Sequence, residues 1–396
     1  MNKKETLALY KKGREAWNAW AREMLDARDM DLQKDNNSAT QDWSISARVD
    51  FSGHTFETDS DFSGFLFPGD AEFTTTKFTK EASFAEARFS GNTWFEEATF
   101  SGGAEFWGAT FSGEVRFLGA TFKRGVKFWE ARFSGIASFE EATLSGGAEF
   151  WGATFSSDAG FLGAMFNGEA GFWEARFSGI ASFEGATFSG EAGFRVARFS
   201  GIVSFEGATF SGKAGFQGAT FCGNTEFNQA IFESFADLSG AIFQKEANFV
   251  AIKGYSFFTL KNVRFLSVPD FEQAHFAEAP RLDHLSVQAS GNESDIAAKW
   301  RTLRRLAVQG HDHERELLFL AEEIKALRGV QDQLLPCPIN LFKDEKIWVG
   351  GGRYWAGLFY QWFSDFGRST GRPLLCWMIC VIHRHCFNFL SASSVR

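Results

Sequence analysis

The sequence predicts an all-β solenoid, flanked by an N-terminal helix and a C-terminal α-helical region. Three observations carry that prediction. From Phe51 onward Phe recurs at alternating spacings of five and six, as in Phe73, Phe78, Phe84, Phe89, Phe95, Phe100, Phe106, Phe111 and Phe117. Two residues before nearly every such position stands a small residue, usually Ala: Ala82, Ala87, Ala98, Ala104, Ala109, Ala120. No proline occurs between Pro68 and Pro269.

A fixed period is interpreted first. An eleven-residue helical repeat is one solution. At 100° per residue, however, steps of five and six place successive Phe on nearly opposite sides, with no apolar stripe. Gly also recurs, as in Ser-Gly at 90–91, 101–102 and 112–113, at roughly 1 kcal/mol each against a helix. On a strand, residues two apart point the same way, so the small residue and the Phe both face inward. Ser-Gly and Asn-Gly pairs then form corners, where Gly tolerates φ > 0. Stacked coils give their N–H groups to neighbours, which excludes proline.

Units such as Ala87-Arg88-Phe89-Ser90-Gly91 and Ala109-Thr110-Phe111-Ser112-Gly113 resemble the pentapeptide-repeat family over roughly residues 50–287. The resemblance implies a right-handed, four-sided β-helix filled by the small and large residues. One departure is regular: every second unit has a sixth residue, as in Phe78-Thr79-Lys80-Glu81-Ala82-Ser83-Phe84. Four units then give a coil of 22 residues rather than 20, and about eleven coils at ~4.8 Å each.

Taken in order, residues 1–30 predict one amphipathic helix, with Leu7, Tyr10, Trp17, Trp20 and Met24 on its apolar face. Its Glu15-Ala16-Trp17-Asn18-Ala19-Trp20 stretch is similar to the leader of many pentapeptide-repeat proteins. Residues 31–50 are a linker or first irregular coil. The solenoid occupies 51–287, with one skipped beat near Gly254. Open ends invite aggregation, so both flanks are expected to act as caps. Residues 292–328 predict a helical hairpin, opened by Asn292 as N-cap, turned at Gly310-His311 and packed through Leu303, Leu306, Leu317, Leu318, Leu320 and Leu327. Residues 347–396 form an aromatic, partly apolar tail.

That tail contains Asp365-Phe366-Gly367-Arg368 and Arg372-Pro373-Leu374-Leu375. It resembles a subgroup of bacterial pentapeptide-repeat proteins in which such motifs follow a helical hairpin and open a transmembrane segment. The apolar run Pro373–Ile382 is about half the ~20 residues that a span needs, so it looks like a truncated membrane domain. The expectation is a cytoplasmic protein associated with the inner membrane through this tail. Arg368 and Arg372 would face the cytoplasm.

Composition narrows function. With 49 Phe the chain is not disordered, and Gly lacks the collagen period. Residues 2–5 lead into no apolar h-region, so no secretory signal is visible. Five Cys, four of them after residue 330, make no disulfide framework. A net charge of −9 argues against direct nucleic-acid binding. No nucleophile–base pair, phosphate loop or metal signature appears. Cys376, Cys380, His383, His385 and Cys386 match no common zinc spacing, and His311-Asp312-His313 reads as a turn and cap. The expectation is a protein without enzymatic activity, cofactor or metal.

What remains is surface. Trp107, Trp129, Trp151 and Trp173 are spaced by one coil and each follows an inward Phe. They predict an outward column stacked at ~4.8 Å steps, a candidate contact patch for a protein partner. Duplication also explains the spacing, because residues 106–150 and 150–194 are near copies. Thr99, Thr121, Thr143, Thr187 and Thr209, interrupted by Met165, predict a structural hydroxyl ladder. Residues 51–287 hold 29 acidic and 17 basic side chains. That balance suggests the alternative reading, an acidic DNA mimic that binds a type II topoisomerase, as some members of the family do. Glu86, Glu130 and Glu174 share a column but alternate with Gly108 and Gly152.

Overall fold

A computed structural model describes residues 1–33, 43, 46–288 and 295–327. The chain divides into two compact units, Met1–Ser290 and Gly291–Arg396. In the first, strands of two residues build four parallel sheets of ten, eleven, ten and eleven strands. The first side starts with Val49–Asp50, the second with Thr55–Phe56, the third with Ser60–Asp61 and the fourth with Leu66–Phe67. Chain order visits the sides in rotation, and each strand pairs with the one a full coil later. Thr99 lies opposite Thr121, and Thr121 opposite Thr143. This is the predicted four-sided solenoid of about eleven turns. It opens at Val49, inside the stretch assigned to a linker.

The interior follows from the two-residue alternation. Ala104, Phe106, Ala109 and Phe111 are all buried, and the same holds along the stack. Phe rings of one column lie nearly parallel: Phe106, Phe128, Phe150 and Phe172 stand 4.9, 4.8 and 4.7 Å apart, with planes within 12°. Rings of adjacent columns meet edge to face, as Phe117 and Phe128 do at 5.6 Å and 79°. Both arrangements suit the ring quadrupole, and each buried Phe contributes roughly 1.5–3 kcal/mol before entropy is subtracted. The Thr column is in register on the second side, with Met165 between Thr143 and Thr187.

The corners correct one expectation. Five-residue units turn tightly. Ala109 N donates to Phe106 O at 3.1 Å and Gly108 between them has φ +65°, the geometry of a type II turn. The left-handed residue is therefore the third of the four residues in a tight turn, Gly53, Gly64 and Gly240 of Ser-Gly pairs included, and not the Ser-Gly glycine of a six-residue corner such as Gly91, Gly102 or Gly113. Glu86, Glu130 and Glu174 occupy that same position at φ 56°, 54° and 58°, which is why they alternate with Gly108 and Gly152. The Ser-Gly glycines of the six-residue corners serve close approach between coils. A Cβ on Gly113 would fall 2.6 Å from Gly91 O, and one on Gly135 2.5 Å from Gly113 O. A methyl group there would push two coils apart.

The skipped beat near Gly254 is a compensated exchange. Gly254 keeps the register of a Phe, between Phe232 and Phe276. Phe258 stands on the third side where its neighbour Ala236 is small. Its buried ring contacts Phe232 at 5.4 Å and Phe276 at 5.0 Å. A large side chain from one side thus fills the space vacated on another.

The N-terminal flank is a cap made of two helices, not one. Helices α1 (Lys3–Tyr10) and α2 (Arg14–Gln33) are separated at Gly13, whose φ of +86° ends the first helix. Asn2 and Glu5 form a capping box on α1. Tyr10 stacks on Phe62 at 4.6 Å, and Trp17, fully buried, stacks on Phe51 at 5.9 Å. Burial also raises the Tyr10 phenol above its usual range. The exposed strand edge receives side-chain partners. Trp17 Nε1 donates to Leu66 O at 2.8 Å. The Asn18 amide donates to Gly64 O and accepts from Leu66 N, both at 2.9 Å. Asn18 thereby imitates the next strand.

In the second unit, α3 (Ile296–Gln309) and α4 (His313–Leu327) form the predicted hairpin. Helix α3 begins later than the sequence suggested. Asp295 occupies its N-cap position without a side-chain cap bond, and Asn292 lies outside the described residues. Leu303 and Leu306 are buried, but Leu317, Leu318 and Leu327 are exposed. The buried residues of α4 are instead Phe319, Ala321 and Glu323. Trp300 covers Phe319 at 5.7 Å. The Glu323 carboxylate accepts from Arg301 Nε at 2.8 Å, with Arg304 Nε 3.3 Å from its other oxygen. Asp312 caps α4. Burial alone would raise its carboxyl, but hydrogen bonds from the Arg315 backbone and guanidinium outweigh that and hold it below its usual value. Residues 347–396, with the apolar run and the Cys and His cluster, lie outside the described residues. Among the described residues no helix is long and apolar enough to cross a membrane.

Candidate functional site

The four Trp residues occupy one position in the coil, the second residue of the tight turn between the third and fourth sides. Each of these turns is bonded to its counterpart one coil on, with Gly108 N donating to Trp129 O at 2.8 Å and Gly152 N donating to Trp173 O at 2.9 Å. Because Phe106, Phe128, Phe150 and Phe172 turn inward, the indoles stand outside the core. Trp107, Trp151 and Trp173 are 38%, 49% and 41% exposed, and Trp129 is half-buried.

The column exists, but its rings do not stack flat at the coil spacing. Trp129 meets Trp151 at 6.4 Å and 82°, and Trp151 meets Trp173 at 6.2 Å and 75°. Inside the solenoid each Phe is clamped by neighbouring columns. At a corner no flanking column holds the indole flat, and it takes the edge-to-face contact that its quadrupole favours. Among the described residues no ring contact joins Trp107 to Trp129.

Trp129 and Trp173 lean over the third side of the following coil, toward the residues twenty positions on. Trp129 Nε1 donates to Glu149 Oε2 at 2.7 Å. Lys127 Nζ sits 5.2 Å above the Trp129 ring and pairs with Glu105 at 3.2 Å. A Cβ on Gly193 would lie 2.2 Å from Trp173 Nε1, so that glycine lets the ring lie against the sheet. Sequence spacing found the indoles and missed these supports. The signal was there: Gly193 and Glu149 follow a Trp by one coil less two residues.

Charge is segregated around the coil. Arg88, Arg132, Arg176, Arg198 and Arg264 point outward from the fourth side, all exposed. Glu96, Glu140, Glu184 and Glu206 line the tight turn between the first and second sides. The fourth side thus places guanidinium groups next to the indole column. Among the described residues no group of three or more His, Cys, Asp or Glu is placed to hold a metal.

The family described as pentapeptide repeats (9 copies) matches residues 62–110, 73–121, 84–132, 128–176, 172–218 and 205–252, all inside the solenoid. The chain is a pentapeptide-repeat protein. Its repeats are Phe-centred, and the regular sixth residue supplies the looser of the two corner types. No curated protein and no solved structure matches the chain. A pentapeptide-repeat solenoid is a scaffold that offers faces along its length and no enclosed cleft.

Proposed function

We propose that this pentapeptide-repeat protein is a non-enzymatic scaffold for protein–protein interaction, working on the cytoplasmic side of the inner membrane. The observation that carries the reading is the exposed indole column Trp129–Trp151–Trp173, braced by Glu149, Lys127 and Gly193. The core does not need these side chains. Trp beside Arg is also the composition enriched at binding hot spots. Membrane proximity rests on the sequence of residues 347–396.

One fractionation experiment tests both parts. It compares the full chain, a chain ending at Gly329, and a Trp129→Ser/Trp151→Ser/Trp173→Ser variant. The triple variant is expected to keep its melting temperature and its membrane association, and to lose cross-linked protein partners. The shortened chain is expected to leave the membrane fraction after an alkaline wash. Unchanged cross-linking by the triple variant contradicts the indole face. Equal solubility of all three chains contradicts the membrane association. The topoisomerase-mimic reading is weaker, because five Arg interrupt the acidic surface along one whole side. Inhibition of gyrase supercoiling by the purified chain would revive it.

A further inference from the structure

Two columns on different sides of the solenoid carry matching patterns. Coils are counted from the one that contains Leu66. The outward residue of the fourth side then reads Leu66, Arg88, Thr110, Arg132, Thr154, Arg176, Arg198, Thr220, Ile242, Arg264. These residues are neighbours in the sheet, coil by coil. Eight residues after each lies the outer residue of the first-to-second turn: Thr74, Glu96, Leu118, Glu140, Leu162, Glu184, Glu206, Asn228, Val250, Glu272. Backbone hydrogen bonds stack these into a second column, as Gly119 N to Glu140 O and Gly163 N to Glu184 O show. Arginine stands in coils 2, 4, 6, 7 and 10 of the first column, and glutamate in the same five coils of the second.

The near-copy of 44 residues accounts for the alternation of coils 4 and 6. It does not account for consecutive charges in coils 6 and 7, or for Arg264 with Glu272 in coil 10. Within the chain the match goes unused. Among the described residues no ion pair engages any of these five Arg. Of the five Glu, only Glu96 is paired, at 3.5 Å from Arg116. Glu86, Glu130 and Glu174 stand two residues before three of the Arg, also without an ion pair, and Arg198 and Arg264 have no such neighbour.

We propose that the Arg column of one copy docks on the Glu column of a second copy of this chain, with the two solenoids parallel and in register. Parallel alignment without offset pairs all five charges and sets Thr110 against Leu118 and Ile242 against Val250. Sliding one column by any number of coils leaves at most two pairs, and reversing its direction leaves at most three. The contact joins unlike faces, so a pair keeps one free Glu column on the first copy and one free Arg column on the second, and copies add side by side. The Arg column borders the indole column, but the docking rests on the Arg and Glu columns alone and does not depend on the partner proposed above.

Sedimentation velocity on the full chain tests the proposal with charge exchange. At low ionic strength the wild type is expected to form species heavier than a monomer, and its association constant to fall about tenfold or more by ~0.3 M salt, as screening shortens the reach of surface charges. Arg132→Glu/Arg176→Glu/Arg198→Glu and Glu140→Arg/Glu184→Arg/Glu206→Arg are each expected to stay monomeric with unchanged circular dichroism. Their equimolar mixture is expected to associate again, because each then supplies the column that the other lost. A monomeric wild type at low salt overturns the proposal. So does a mixture that remains monomeric while both variants are folded, or association that the substitutions leave unchanged.

Discussion

Replacing Phe258 with Ala is expected to cost about 3–5 kcal/mol, the range for emptying a buried aromatic site. The ring fills the place where every other coil of the second side presents its own Phe or Leu. Gly254 has nothing to offer there, so no neighbour collapses into the void. Gly254→Phe alone is also expected to destabilise, by about 1–3 kcal/mol, through overpacking. A Cβ at that position already lies 2.8 Å from the Phe276 ring. Together the two substitutions recreate the arrangement of the preceding coils, with a Phe stacked between Phe232 and Phe276 and a small residue at 258. The double variant is therefore expected to recover most of the loss, a strongly non-additive pair. Urea unfolding, with hydrogen exchange to localise the effect, measures all three. Additive losses would mean that Phe258 does not substitute for the missing ring.

The second large effect lies at the other end. Trp17→Ala is expected to remove about 3–5 kcal/mol of local stability from the first coil. The indole covers Phe51 and Phe67 and holds the Leu66 carbonyl. In a repeat array such a loss stays near the site, since each coil is supported mainly by its neighbours. The expected signature is rapid exchange of amides in residues 49–67 with little change near residue 200, and concentration-dependent aggregation through the uncovered strand edge. Uniform loss of protection along the solenoid would contradict a local cap.

Most of the fold was legible because one rule repeats. An inward pair of a small residue and a Phe, every five or six residues, fixes which atoms are buried, and burial fixes the coil. What escaped depends on contacts between coils or between sides. Gly113 and Gly108 look alike in sequence, yet one answers to a carbonyl 2.6 Å away and the other to its own φ of +65°. Phe258 compensates for Gly254 across a corner, and no local window shows that. The Trp column was placed by spacing, but its edge-to-face geometry is a choice of rotamers at an open corner. In the hairpin, Leu317 and Leu318 were given the buried face by hydrophobicity alone. Phe319 and the Arg-paired Glu323 hold it instead. The break at Gly13 needed only the recognition that a glycine followed by a second helical run can end the first.

The central claim is that the structural unit is a coil of 22 residues whose corners and columns must stay in phase. Removal of whole units tests it most directly. Deleting residues 178–199 joins Phe177 to Ser200, the equivalent of Ser178, and takes out one complete coil. Deleting residues 184–188 joins Phe183 to Ser189 and takes out one side only. The first deletion is expected to give a soluble chain with unchanged circular dichroism per residue and cooperative melting. The second rotates every later strand by one side and sets tight corners over loose ones, and is expected to abolish cooperative melting downstream. If the two deletions behave alike, the coil is not the unit and the columns described along it lose their basis.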